Sequence, residues 1–249
     1  MNGGREKIPR PAAPDIIPGP ALAQSKRLAF DLEGPLVDLE KFHQLAFENV
    51  AKTLGVTFGP KEFHAFVGAG DQAISEEIAK LGSSPNVTLD AKTIREAKMS
   101  IYHDMLHSHP IAAREGVGEY LERAKLIGGD LVLATLTPDK DAQRILQEAR
   151  LRPFFKHVLT ETSVQKKKPD PEIYIKAAHI LKTPNRNMIV HEDSPTGVAA
   201  GKAAGSPVAA FPVHENLKFN PEPDVIYMGW NGLTPDEVIE RIFGYKKTV

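Results

Sequence analysis

Two spacings of apolar residues divide this chain. Leu28-Ala29-Phe30 is a continuous apolar run that stops on Asp31, with Glu33, Gly34 and Pro35 close behind. Such a run predicts a strand covered on both faces, over Lys26 to Phe30, that delivers two acids into a turn. After Asp38 the period becomes helical. Phe42, Leu45, Ala46, Val50 and Leu54 fall on one face, and Gly55 ends the stretch. Further helices are predicted over Pro60 to Val67, over Gln72 to Leu81 with Gly82 behind it, and from the N-cap candidate Asp90 to about His107. No strand pattern occurs between Leu39 and Ala112.

From Gly116 the two patterns alternate. Gly118 to Ile127, Asp139 to Ala149, Glu172 to Leu181 and Gly197 to Ala204 read as helices. Leu131 to Ala134, His157 to Thr160 and Met188 to Val190 read as strands, with later strands at Pro207 to Phe211 and Val225 to Met228. Alternation of this kind builds βαβ units and a parallel sheet. The strand pattern starts before the helical stretch and resumes after it. The expected architecture is therefore α/β, a Rossmann-like three-layer parallel sheet over residues 26–38 and 113–249, with an inserted α-helical cap domain over 39–112. Met1 to Ser25 carries Pro9, Pro11, Pro14, Pro18 and Pro20 with few large apolar groups, which predicts a disordered arm.

Composition removes several function classes. The 249 residues are 41% hydrophobic and 25% charged, ordinary globular usage. Lys plus Arg, 31, nearly balances Asp plus Glu, 32, so nothing electrostatic favours nucleic acid or an acidic membrane. The absence of cysteine excludes disulfides, thiolate metal sites and Cys nucleophiles. No apolar run approaches the roughly 20 residues that span a bilayer, and the first 25 lack a signal-peptide core. A cytoplasmic protein, monomeric or weakly dimeric, is the expectation.

Chemistry-bearing residues cluster where the strands are expected to end. Thr135-Leu136-Thr137 follows one strand and Glu192-Asp193-Ser194 another, with Lys166-Lys167-Lys168-Pro169 in a loop between them. Ligands of open α/β sheets bind outside the carboxyl ends of the strands. Taken singly, each group has a plain structural use: an Asp or Thr as a cap, the acidic pair at a helix start, the lysine run as a solvated surface. Together they describe one pocket with acids at two edges, a hydroxyl and a lysine. Carboxylates from two loops suit Mg²⁺, an oxygen-seeking cation that commonly bridges a phosphate. An adjacent Asp can attack phosphorus, and a second acid can move the proton.

These motifs resemble those of the haloacid dehalogenase superfamily, in the branch of β-phosphoglucomutase and small sugar phosphate phosphatases. The residues that carry the resemblance are Asp31-Leu32-Glu33-Gly34-Pro35, Asp38-Leu39-Glu40-Lys41-Phe42-His43, Thr135, Lys168-Pro169-Asp170-Pro171 and Glu192-Asp193-Ser194-Pro195-Thr196-Gly197. The resemblance implies Asp31 as nucleophile and Mg²⁺ ligand, and Glu33 as acid/base whose backbone carbonyl also reaches the metal. It implies phosphate binding by Thr135, the N–H of Leu136 and Lys168, metal ligation by Asp193 with Glu192, and a cap that closes over substrate. His43 and Gly70 are the candidate substrate contacts in the cap. The implied activity is Mg²⁺-dependent hydrolysis of a small phosphomonoester through an aspartyl phosphate. A phosphomutase and a catalytically weakened phosphate-binding pseudoenzyme are the alternatives.

Four positions depart from the pattern. Glu33 replaces Asp and carries its carboxyl outward by about 1.5 Å, a displacement that can cost about a hundredfold in rate. Families resembling enolase-phosphatase also use D-x-E-G, so glutamate can serve. Pro35 removes a backbone donor, and Leu136 replaces a small or polar residue. In the cap loop Val67 to Gln72, Asp71 stands near the position of the mutase's phosphate-gripping Arg and is expected to repel a second phosphate. No lysine between Gly68 and Ser75 supports a phosphonatase, and a dehalogenase leaves Glu192-Asp193 unexplained.

Overall fold

The computed structural model describes residues 26–66, 70–84 and 88–244. The proline-rich arm and residues 67–69 of the cap loop lie outside the described residues. Six parallel strands form one sheet in the order β3-β2-β1-β4-β5-β6. They are β1 (Arg27–Phe30), β2 (Asp130–Ala134), β3 (His157–Leu159), β4 (Met188–Glu192), β5 (Val208–Ala210) and β6 (Val225–Ile226). The order reverses between β1 and β4, which opens a crevice at their carboxyl ends.

Strand alternation sorts the side chains into two cores. Leu28 and Phe30 of β1, Leu131 and Leu133 of β2 and Ile189 of β4 point to one face. There they meet α5 (Val117–Leu126), α6 (Asp139–Glu148) and α9 (Pro235–Phe243). Ala29, Val132, Ala134, Met188 and Val190 point to the other, against α7 (Glu172–Ile180) and α8 (Pro195–Ala203). The three layers expected for the α/β fold are thus present. No helical pattern was read over α9, yet Thr234 caps it, accepting from the Glu237 amide at 3.2 Å, and Pro235 begins its first turn.

Between β1 and α5 lie α1 (Glu40–Thr53), α2 (Pro60–His64), α3 (Gly70–Gly82) and α4 (Ala91–Ser108). Phe47, Val50, Phe58, Phe63, Ile74, Ile78 and Ile94 give these helices a core of their own. Leu39, Ala46, Tyr102 and Leu106 instead pack into the core of the sheet domain. Asp90 caps α4 as expected, accepting from the Lys92 and Thr93 amides.

An aromatic stack fixes the turn after β1. Phe211 and Trp230 lie face to face with centroids 3.7 Å apart, and Trp230 Nε1 donates to the Pro35 carbonyl at 2.8 Å. His191 stacks on Phe30 at 4.1 Å. Its Nε2 meets the Tyr120 hydroxyl at 2.9 Å, and burial pushes its pKa down to about 3. It is a neutral core residue.

Candidate active site

The register of β1 against β4 brings the acids together. Phe30 pairs with His191, and the Asp31 amide donates to the His191 carbonyl at 3.0 Å, so Asp31 lies beside Glu192. Alternation turns both side chains toward the α7 face. There Lys168 Nζ donates to Glu192 Oε1 at 2.6 Å and to the Ala134 carbonyl at 3.1 Å, and stands 3.1 Å from Asp31 Oδ1. Tyr174 of α7 adds a 2.6 Å hydrogen bond to Glu192. Asp193 completes the group: ligand oxygens of Asp31, Glu192 and Asp193 all lie within 4.8 Å of one another.

Two glycines make the approach possible. A Cβ at Gly34, whose φ is +98°, would collide with the Asp193 carboxylate, and one at Gly197 would collide with that of Glu192. Three carboxylates therefore converge, two of them in contact with the ammonium of Lys168 and no other ammonium among the described residues paired with them. Burial raises Asp31 to about 6, with Glu192 adding to the rise against the pull of Lys168. Burial, Glu192 and Asp31 likewise push Asp193 well above its ordinary value. Lys168 answers in kind: burial opposes its charge, but Asp31 and Glu192 hold it at about 12.

The surplus negative charge suits a divalent cation. Asp31 Oδ1 is buried and makes no properly directed hydrogen bond despite its proximity to Lys168. Oxygen-only donors are what Mg²⁺ takes. The fit is best at Asp31 and Asp193, because both oxygens of Glu192 are already used by Lys168, Tyr174 and the Asp193 amide.

Glu33 belongs to a separate network. Thr137 Oγ1 donates to its Oε1 at 2.6 Å, Tyr102 OH to its Oε2 at 2.6 Å, and His43 Nε2 lies 3.2 Å from Oε2. Burial favours the neutral acid, but these bonds outweigh it and hold Glu33 at about 2. His43 is held in turn by Lys98, whose Nζ is 2.6 Å from its Nδ1 and 2.6 Å from Asp71 Oδ2. The ammonium has only protons to offer, so Nδ1 accepts and Nε2–H donates to Glu33. The relay runs Asp71, Lys98, His43, Glu33. Asp71 is thus neutralised by Lys98, which corrects the expectation of a bare repulsive carboxylate.

Thr135 is buried at the end of β2, its hydroxyl 2.8 Å from that of Thr137. Thr137 already donates to Glu33, so Thr135 donates to Thr137 and joins the same network. The Leu136 side chain packs on the α7 and α8 core, which leaves only its backbone for a ligand. Gly70 and His43 both line a cavity of about 350 Å³ that also exposes Glu33, Asp71 and Asp193. Lys98 and Tyr102 were not singled out from the sequence, and Thr137 was noted only as a hydroxyl beside Thr135. One signal existed: Lys98 interrupts the buried stripe Ile94, Lys98, Tyr102, Leu106 at exact helical spacing, a charge where only an engaged charge is tolerated.

A parallel sheet whose switch point gathers three carboxylates and a lysine defines a hydrolase-type enzyme of α/β fold with an oxygen-rich site. The chain belongs to the haloacid dehalogenase-like hydrolase family, whose pattern matches residues 28–211. It is 28% identical to Protein CbbY of Rhodobacter capsulatus over 75% of this chain and 85% of that protein. It is 29% identical to the phosphorylated carbohydrates phosphatase of Thermotoga maritima over 71% of this chain and 80% of the relative. The structure of CbbY from Rhodobacter sphaeroides in complex with phosphate superimposes with a TM-score of 0.68 at 24% identity, covering 85% of this chain and 97% of that one. That likeness concerns the fold. Among the described residues, no helix is long and apolar enough to cross a membrane.

Proposed function

We propose that this protein is a Mg²⁺-dependent phosphatase that hydrolyses a small phosphomonoester, with sugar phosphates as the leading class, through an aspartyl phosphate on Asp31. The observation that carries the reading is the convergence of Asp31, Asp193, Glu192 and Lys168 at the carboxyl ends of β1 and β4. Asp31 and Asp193 would hold the Mg²⁺, with Glu192 behind them and the Glu33 carbonyl as a further donor. Bound there, the ion would neutralise phosphate charge and favour the ionised form of Asp31.

The remaining steps fall to the chain. An Asp31 carboxylate oxygen attacks phosphorus, the bond to the ester oxygen breaks, and the leaving oxygen takes a proton from Glu33. Water then attacks the aspartyl phosphate, gives a proton back to Glu33 and releases inorganic phosphate, restoring Asp31. Lys168 balances the charge on the phosphoryl group, and Thr135 with the Leu136 N–H orients it once Thr135 is released from Thr137. Residues 39–112 act as the cap. Two of the three donors that keep Glu33 ionised, His43 and Tyr102, belong to that unit. Its opening frees the carboxyl to take up the proton that it later delivers.

Among the described residues lining the cavity there is no Arg or Lys, while Phe63, Phe66, Ile74 and Leu217 are apolar. This favours a monophosphate over a bisphosphate, and hydrolysis over mutase chemistry. The test is phosphate release from p-nitrophenyl phosphate and a panel of metabolite monophosphates. Activity should require Mg²⁺, stop with EDTA and vanish in Asp31→Asn. Turnover that survives Asp31→Asn refutes the mechanism. Isomer without phosphate release from glucose 1-phosphate plus a bisphosphate primer replaces it with a mutase.

A further inference from the structure

A second group of ligand-type side chains meets at the rim of the same cavity, apart from the Asp31 cluster. Glu40 opens α1, His64 closes α2, and His214 lies in the segment after β5. One ligand atom from each falls within 4.8 Å of the other two. His214 Nε2 is 2.6 Å from Glu40 Oε1, and the His64 and His214 rings stand edge to face with centroids 5.9 Å apart. The hydrolysis described above uses none of them.

We propose that Glu40, His64 and His214 form a binding site for a transition-metal ion of the Zn²⁺ type, which pins the helices α1 and α2 to the sheet domain. Two imidazoles and one carboxylate are a donor set that Zn²⁺ accepts while keeping a fourth position open. Mg²⁺ prefers oxygen alone, so the two clusters would sort different cations. Tetrahedral bonds of about 2.0–2.2 Å set donor atoms roughly 3.4 Å apart, so side-chain movement of about an ångström closes the site around an ion. The Glu40 and His214 side chains retain 23% and 34% exposure, which leaves the ion a path in. Its fourth position would face the cavity that Glu40 and His214 line. An ion bonded to His64 of α2 and to His214 after β5 resists separation of those two segments.

The experiment is a Zn²⁺ titration of the full chain in excess Mg²⁺, followed by calorimetry, with Co²⁺ as a spectroscopic probe. One Zn²⁺ per chain is expected, bound at least tenfold more weakly by His64→Ala and by His214→Ala and unchanged in Asp193→Asn. Co²⁺ on the wild type should give the intense visible absorption of a four-coordinate ion. Equal Zn²⁺ affinity in wild type and both histidine variants, or loss in Asp193→Asn alone, overturns the proposal. Should a variant fail to fold, the wild-type Co²⁺ spectrum decides by itself, and the weak absorption of a six-coordinate ion overturns it.

Discussion

Asp31→Asn should stabilise the metal-free protein while removing its activity. In the folded chain the Asp31 carboxyl is raised from 3.8 to about 6, chiefly by burial and by Glu192, with Lys168 opposing. Between those two values the folded chain keeps a proton that the unfolded chain has released. Stability therefore rises as pH falls from about 6 to 3.8, and the full penalty of the charge is felt above 6. The gap corresponds to roughly 3 kcal/mol. Asparagine has nearly the shape of the protonated acid and carries no charge. For a chain of this size, a change of that order raises Tm by about 6–12 °C. The assay is thermal unfolding in EDTA at pH 8 and again near pH 4, where the advantage of the variant should shrink. Saturating Mg²⁺ should narrow it at pH 8 as well, because the ion stabilises the wild type through Asp31. If Asp31→Asn is no more stable than wild type in EDTA at pH 8, the view that Asp31 is held against excess negative charge is wrong.

Three further outcomes follow from the same geometry. Lys168→Met strips the ammonium that faces Asp31 and Glu192, so chemical denaturation should show a loss of about 3–5 kcal/mol, and phosphate release should stop. Tyr102→Phe keeps the stacking on His43 but deletes a hydrogen bond to a charged group, about 1.5–3 kcal/mol. The proton affinity of Glu33 should then rise, so the limb of the pH–rate profile that reports Glu33 moves to higher pH; an unmoved limb contradicts the assignment. Gly34→Ala sets a methyl against the Asp193 carboxylate at a positive φ, which costs about 1 kcal/mol or more before the clash is counted. Mg²⁺ titration should find weaker binding there, with the fold retained by circular dichroism.

Local pattern carried much of the structure. The apolar run ending on Asp31, the alternation after Gly116 and the cap at Asp90 are short-range signals, and each produced its element. The helix Pro235–Phe243 was not read, although its cap and proline are equally local. Glu192 was placed just past a strand, whereas β4 runs through it, because its side chain is paid for by Lys168 and Tyr174 and not by solvent.

The sequence by itself determined which acids could act: Asp31, Glu33, Glu192 and Asp193 stand at strand ends because apolar runs stop there. Tertiary structure alone decided how they divide. Strand register turns Asp31 and Glu192 to one side with Lys168, and the packing of α1 and α4 brings His43, Lys98 and Tyr102 to Glu33 from far along the chain. Proton affinity depends on burial and on neighbours in space, so two acids with a single residue between them end at about 6 and about 2. Spacing along the chain contains no record of that difference.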